Sequence, residues 1–153
     1  MAEAAEAVVV DASVATKWHL RDEQGADKAL LLLRRFMQGH AEVWAPNHIR
    51  YEVPAAIARA TRGSRPRVAP SLGRQAIEAF LALGLHTLDT DELILQAYAL
   101  AHQYGCSFYD TLYLALAERL SVSLLTADES FYHAVRSHPL VVRMADYSSP
   151  DES

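Results

Sequence analysis

Four acidic residues stand where a carboxylate can do chemistry. Asp11 closes the apolar run Val8-Val9-Val10, and Asp128 follows the run Leu124-Leu125-Thr126 by two residues. Glu52 and Asp110 fall in the opening turns of two helical stretches. A charge at the end of a buried strand is costly unless it is paired. The chain has only two lysines to offer, Lys17 and Lys28. Carboxylates gathered without a cation repel one another, and one or more takes up a proton. A hard divalent cation removes that conflict, and Mg²⁺ or Mn²⁺ prefers oxygen ligands. Ser13 and Thr126 are hydroxyl neighbours suited either to steadying a carboxylate or bound water, or to capping a helix.

Each acid also has a plainer role. Ser107-Phe108-Tyr109-Asp110 matches a loose capping box. Thr126-Ala127-Asp128-Glu129 matches it better, with Glu129 at the third helical position and Asp128 in the first turn. Negative charge near a helix N-terminus is stabilising by about 0.3–1 kcal/mol in any case. Glu52 alone reads as a surface glutamate. The combination of all four carries the argument, and Glu129 stays open as a substitute for Asp128. No rival centre competes. The histidines are scattered without an HExxH spacing, and there is no Gly-x-Ser-x-Gly elbow or Walker-type loop. A phosphotransfer receiver needs adjacent acids after its first strand and a lysine after its last, but Ala12 follows Asp11 and both lysines precede residue 30. An aspartyl phosphatase needs Asp-x-Asp where this chain has Asp-Ala-Ser. Cys106 is the single cysteine, reads as an inert small hydrophobe, and forms no intrachain disulfide.

The elements that must position these acids follow from periodicity. Short apolar runs alternate with helical patterns, which predicts an α/β fold with a mostly parallel sheet of four to five strands flanked by helices. Strands are expected at residues 7–10, 42–45, 85–88, 122–126 and, weakly, 141–142. Pro46 is expected to break the second. Helices are expected at 12–19, 24–38, 47–61 with Asn47 as N-cap, 71–83, 91–104, 107–120 with Ser107 as N-cap, and 128–135. Gly39, Gly84 and Gly105 serve as helix stops. The tail 147–153 is polar and expected to fray. Strand ends and helix starts face one edge of such a sheet, where open α/β folds place their functional crevice. Acids far apart in sequence thus converge.

The chain has 153 residues, 51% of them hydrophobic, enough for one domain (1–153, core about 7–143) to bury a core without disulfides. No run approaches the length of a membrane span, and two acids before the first apolar run argue against a signal peptide. The expectation is a soluble, cytoplasmic protein. Net charge is −5, which argues against a protein that coats nucleic acid. From Val53 to Ile77, however, Arg59, Arg62, Arg65, Arg67 and Arg74 occur without an acid. Such a basic arm either steers a polyanion towards a cation-loaded site or is a solvated helix end.

VVVDASVATKW resembles the opening of PIN-domain nucleases, NHIRYEVPAAIARA resembles their second motif, SFYDTLYLALAERL their third, and SLLTADESFYHAV their fourth. The order and spacing agree from about Val8 to Val142. Thr111 stands where alanine is common in the third motif. At this size the chain is most similar to the toxin halves of VapBC toxin–antitoxin pairs. The resemblance implies a Mg²⁺- or Mn²⁺-dependent endoribonuclease with one or two ions, often a homodimer, inhibited by a cognate antitoxin. Asp11 and Asp110 would then be principal ligands. Asp128 would complete the shell or hold a second ion, and Glu52 would act through water. Arg59, Arg62, Arg65 and Arg67 are the phosphate-binding candidates, and His48, Tyr51 and Tyr109 the base-stacking ones. The helix 107–120 and the segment 30–37 offer either a partner groove or core. A PIN nuclease of RNA maturation and a silent binding module on the same fold are the alternatives.

Overall fold

The computed structural model describes residues 4–20 and 24–152. Met1 to Glu3, with the start of the N-terminal reading, and Ser153, the end of the expected tail, lie outside the described residues. In chain order the elements are β1 (Glu6–Val10), α1 (Ala12–His19), α2 (Ala26–Met37), β2 (Ala41–Pro46), α3 (Ile49–Ala60), α4 (Pro70–Ala82), β3 (His86–Leu88), α5 (Ile94–Tyr104), α6 (Phe108–Leu120), β4 (Ser123–Thr126), α7 (Glu129–Val135) and β5 (Val141–Arg143).

The strands form a five-stranded, wholly parallel sheet in the order β3-β2-β1-β4-β5. β1 is central and buried, as its unbroken valines require: Val8, Val9 and Val10 pack into the core from both faces. Its neighbours are in register through Val9↔Trp44 on one side and Val10↔Leu125 on the other. The chain builds outward from β1 through β2 to β3, then crosses back to lay β4 on β1's other flank. Strand order therefore reverses between β1 and β4. At that switch point the loops after the two strands diverge and open a crevice.

α6 is the most deeply set helix. Residues 111–117 are all buried, so it is core and not the partner groove offered as one reading of residues 107–120. Gly105, in the left-handed conformation at φ 64°, ends α5 and turns the chain into α6. Ser107 caps α6 by accepting from the Tyr109 N–H at 3.2 Å. No helix among the described residues is long and apolar enough to cross a membrane.

The structure departs from the sequence reading in particular places. Pro46 is the last residue of β2 and does not break it. It pairs only with Leu88 of β3, because the β1 register has already ended at Trp44, so its missing N–H interrupts no ladder on that side. Asn47 is not an N-cap. Its N–H bonds the Leu88 carbonyl at 2.8 Å, and His48 takes the cap position without a side-chain bond. Residues 91–93 form a 3-10 turn ahead of α5. The tail is docked where fraying was expected. Tyr147 and Ser149 are buried, and residues 150–152 form a short 3-10 turn. The Tyr147 hydroxyl donates to Glu6 at 2.7 Å, and Asp151 accepts from the buried Arg35 at 2.8 Å. A buried aromatic ring and an ion pair to a distant arginine anchor a segment whose composition reads as loose.

Candidate active site

Asp11 leaves β1 with extended backbone and becomes the N-cap of α1, accepting from the Val14 N–H at 3.3 Å. It is 4% exposed, the only buried member of the four acids. Both its oxygens are engaged: the Ser13 hydroxyl donates to Oδ1 and the Thr126 hydroxyl to Oδ2. Ser13 in turn accepts from the Ala127 N–H at 2.9 Å, and Thr126 from the Asp128 N–H at 3.1 Å. The β1–α1 and β4–α7 turns are thereby stitched together across the switch point. Thr126 is not a helix cap. Asp128 caps α7, its Oδ1 accepting from Phe131 N–H at 3.0 Å.

Asp110 sits in the first turn of α6, half-buried, and Glu52 in the first turn of α3. With Asp11 and Asp128 they line one cavity of about 270 Å³, together with Ser13, Lys17, Arg59 and Tyr113. All four sequence-chosen acids are therefore brought together. Of the four arginines, Arg59 is part of the lining. Arg62 and Arg65 are exposed on the following turn, and Arg67 lies beside Trp18 and Leu72 at another surface. Arg74 pairs with Glu78 at 3.0 Å. Glu129 does not line this cavity and lies 3.6 Å from Arg143.

The electrostatics record the crowding. Burial pushes the Asp11 carboxyl up to about 7, against the lowering by its hydroxyl donors. Burial, then the Asp128 and Glu52 charges, push Asp110 up to about 6. Perturbed carboxyls in a cleft are a recurrent mark of function. All-oxygen donors of this kind suit a hard divalent cation. Among the described residues, no three Asp, Glu, His or Cys side chains are grouped as a ready-made metal centre. Oxygens of Asp11, Glu52 and Asp128 accept from hydroxyl and N–H donors instead. Each carboxylate oxygen keeps a second lone pair, so the donor set fits such an ion once the side chains turn towards it.

Lys17 and Tyr113 belong to the cavity but escaped the sequence reading. Helical spacing carries the signal for one of them. Tyr113 is three residues after Asp110 on α6, just as Arg59 is two turns after Glu52 on α3, so each pair shares a helix face. The base-stacking candidates divide. Tyr51 and Tyr109 are 79% and 62% exposed, whereas the His48 ring is packed 4.7 Å from that of Tyr113.

The PIN domain family model matches residues 8–136. Solved structures share the fold. PAE2754 from Pyrobaculum aerophilum is 21% identical with a TM-score of 0.64, covering 92% of each chain. A toxin–antitoxin complex from Klebsiella pneumoniae is 14% identical with a TM-score of 0.60, covering 93% of this chain and 99% of its own. FitAB bound to a DNA fragment is 18% identical with a TM-score of 0.58, covering 94% and 99%. A search of curated proteins returns no match. With a family match that spans all four acids, and a crevice at the switch point between β1 and β4, this chain belongs to the PIN domain family, whose fold is that of a nuclease.

Proposed function

We propose that the protein is a metal-dependent endoribonuclease, using Mg²⁺ or Mn²⁺ as one or two ions, and that it is the toxin of a toxin–antitoxin pair. The observation that carries the nuclease reading is the convergence of Asp11, Glu52, Asp110 and Asp128 on one cavity that also holds Lys17 and Arg59. The bound cation would acidify a water and offset negative charge building at phosphorus. Asp11 and Asp110 are the principal ligands. Ser13 and Thr126 keep Asp11 fixed by donating to it. Asp128 completes the ligand set, and Glu52 orients the attacking water. Arg59 meets the phosphate, with its fork suited to bidentate contact.

The toxin reading is supported by the toxin–antitoxin complex among the structural neighbours. An antitoxin partner and a homodimer go with it. The exposed Ile94, Leu95 and Tyr98 of α5 are the apolar surface that supports such contacts. The protein acts in the cytoplasm in this reading.

The test is cleavage of RNA by purified protein with Mn²⁺ or Mg²⁺, against EDTA and against Asp11→Asn. Loss of one principal ligand should lower the rate by at least about a hundredfold while the fold survives by circular dichroism. Cleavage that persists in EDTA and in the variant would refute the metallonuclease.

A further inference from the structure

Glu52 is held differently from Asp11 and Asp128, each of which caps a helix. Asp11 and Asp128 accept backbone N–H groups at helix starts. Glu52 instead receives the Tyr113 hydroxyl on Oε1 at 3.1 Å. His48 Nε2 lies 2.7 Å from that same oxygen, without the alignment of a hydrogen bond. The His48 ring packs 4.7 Å from the Tyr113 ring and 5.9 Å from that of Tyr109. Tyr113 is 1% exposed, on the helix that carries Asp110. Glu52 is thus tied to α6 by a phenol from the core, while one turn of its own helix brings an imidazole against the same oxygen.

That arrangement is more than packing. The Tyr113 phenol is buried beside carboxylates, and Glu52 is the acceptor it takes. The phenol and the imidazole both lie against Oε1, which makes Oε2 the less encumbered oxygen of a carboxylate that lines the cavity. Outer partners of this sort orient the carboxylates they touch and tune what those carboxylates do.

We infer that Tyr113, with His48 packed against it, is a positioning residue that fixes the Glu52 carboxylate between α3 and α6 and so sets which of its oxygens serves the phosphodiester reaction. The inference rests on the nuclease reading given above. It requires that Tyr113 act only through Glu52.

The experiment is a double-mutant cycle of Tyr113→Phe and Glu52→Gln, read in two ways: RNA cleavage with Mn²⁺, and Mn²⁺ binding by calorimetry without RNA. Thermal melting accompanies each variant. Tyr113→Phe keeps the ring in place and removes one oxygen. It should lower kcat about tenfold with KM little changed, leave the melting temperature close to that of the wild type, and change the Mn²⁺ binding isotherm. In the Glu52→Gln background it should have no further effect on either readout. His48→Gln should retain more activity than His48→Ala, because it keeps a polar side chain packed beside Tyr113 and Oε1.

Equal losses from Tyr113→Phe in both backgrounds would overturn the inference and leave the nuclease reading intact. So would a Tyr113→Phe protein that cleaves and binds Mn²⁺ like the wild type. Wild type that binds Mn²⁺ without cutting RNA would remove the nuclease reading, and the calorimetric cycle would then decide the Tyr113–Glu52 coupling by itself. Wild type that neither cuts RNA nor binds Mn²⁺ would overturn both.

Discussion

Asp11 ends a strand inside the molecule, and burial raises its carboxyl to about 7; Asp110, crowded by Asp128 and Glu52, rises to about 6. The ordinary value for both is 3.8. The folded state therefore binds these protons more tightly than the unfolded chain does. A raised carboxylate contributes stability that is present at low pH and is lost as pH climbs from the unfolded value to the folded one. The metal-free protein should accordingly lose melting temperature between about pH 4 and pH 7 from this source, and lose no more above it. Asp110→Asn removes one of the repelling charges and should raise the metal-free melting temperature at pH 8 while abolishing cleavage. Mn²⁺ should stabilise the wild type at pH 8 more than this variant, because the ion binds the ionised form. Melting curves at pH 5 and pH 8, with EDTA and with Mn²⁺, check the whole pattern. A metal-free wild type more stable at pH 8 than at pH 5 would contradict the assigned shifts, provided the Asp110→Asn protein shows the same trend.

The pairing of α3 with α4 rests on a close approach. Gly73 is buried in α4, and a Cβ there would lie 2.5 Å from the Thr61 Cγ2 at the end of α3. Thr61 cannot swing away freely, because its hydroxyl donates to the Ala58 carbonyl at 3.0 Å. Gly73→Ala would improve helix propensity in isolation, yet here the overlap dominates. The expected net cost is about 1–2 kcal/mol, a melting-temperature loss of roughly 2–8 °C for a chain of this size. Thr61→Ala should relieve it, which a thermal-melt comparison of the single and double variants reads directly. The element matters to the site because α3 carries both Glu52 and Arg59.

At the scale of the molecule, stability and chemistry occupy opposite edges of the sheet. The carboxylates lie beyond the C-terminal ends of β1 and β4. The docked tail lies at the other edge, where Tyr147 reaches Glu6 at the start of β1 and Asp151 reaches Arg35 of α2. Tyr147→Ala removes a buried ring and the hydroxyl on Glu6, at a cost of about 3 kcal/mol. The melting temperature should fall on the order of 10 °C. Mn²⁺ affinity and cleavage at low temperature should be unchanged, since nothing in the tail lines the carboxylate cavity. A cleavage rate that falls in step with the melting temperature would show that the two edges are coupled.

Much of this was legible in the order of residues. Unbroken valines mean a strand buried on both faces, serine before Phe108 means a capped helix, and a glycine after Tyr104 means a stop, because each of these is decided by local sterics and by where apolar side chains fall. The four acids were legible as a set, since strand ends and helix starts must face one edge of a parallel sheet. What the sequence left open was decided by contacts between elements distant along the chain. Thr126 reads equally well as a cap or as a support. It is a support because β4 pairs beside β1 and brings its hydroxyl to Asp11. The tail reads as loose until Arg35, far away in sequence, supplies the partner for Asp151. Five arginines read as one basic arm, but the turn after α3 carries Arg62, Arg65 and Arg67 away from the cavity, Arg74 pairs with Glu78, and Arg59 is left in it. Local preference specifies which elements form; the desolvation of a given side chain, and the donors that meet it there, exist only once those elements have packed.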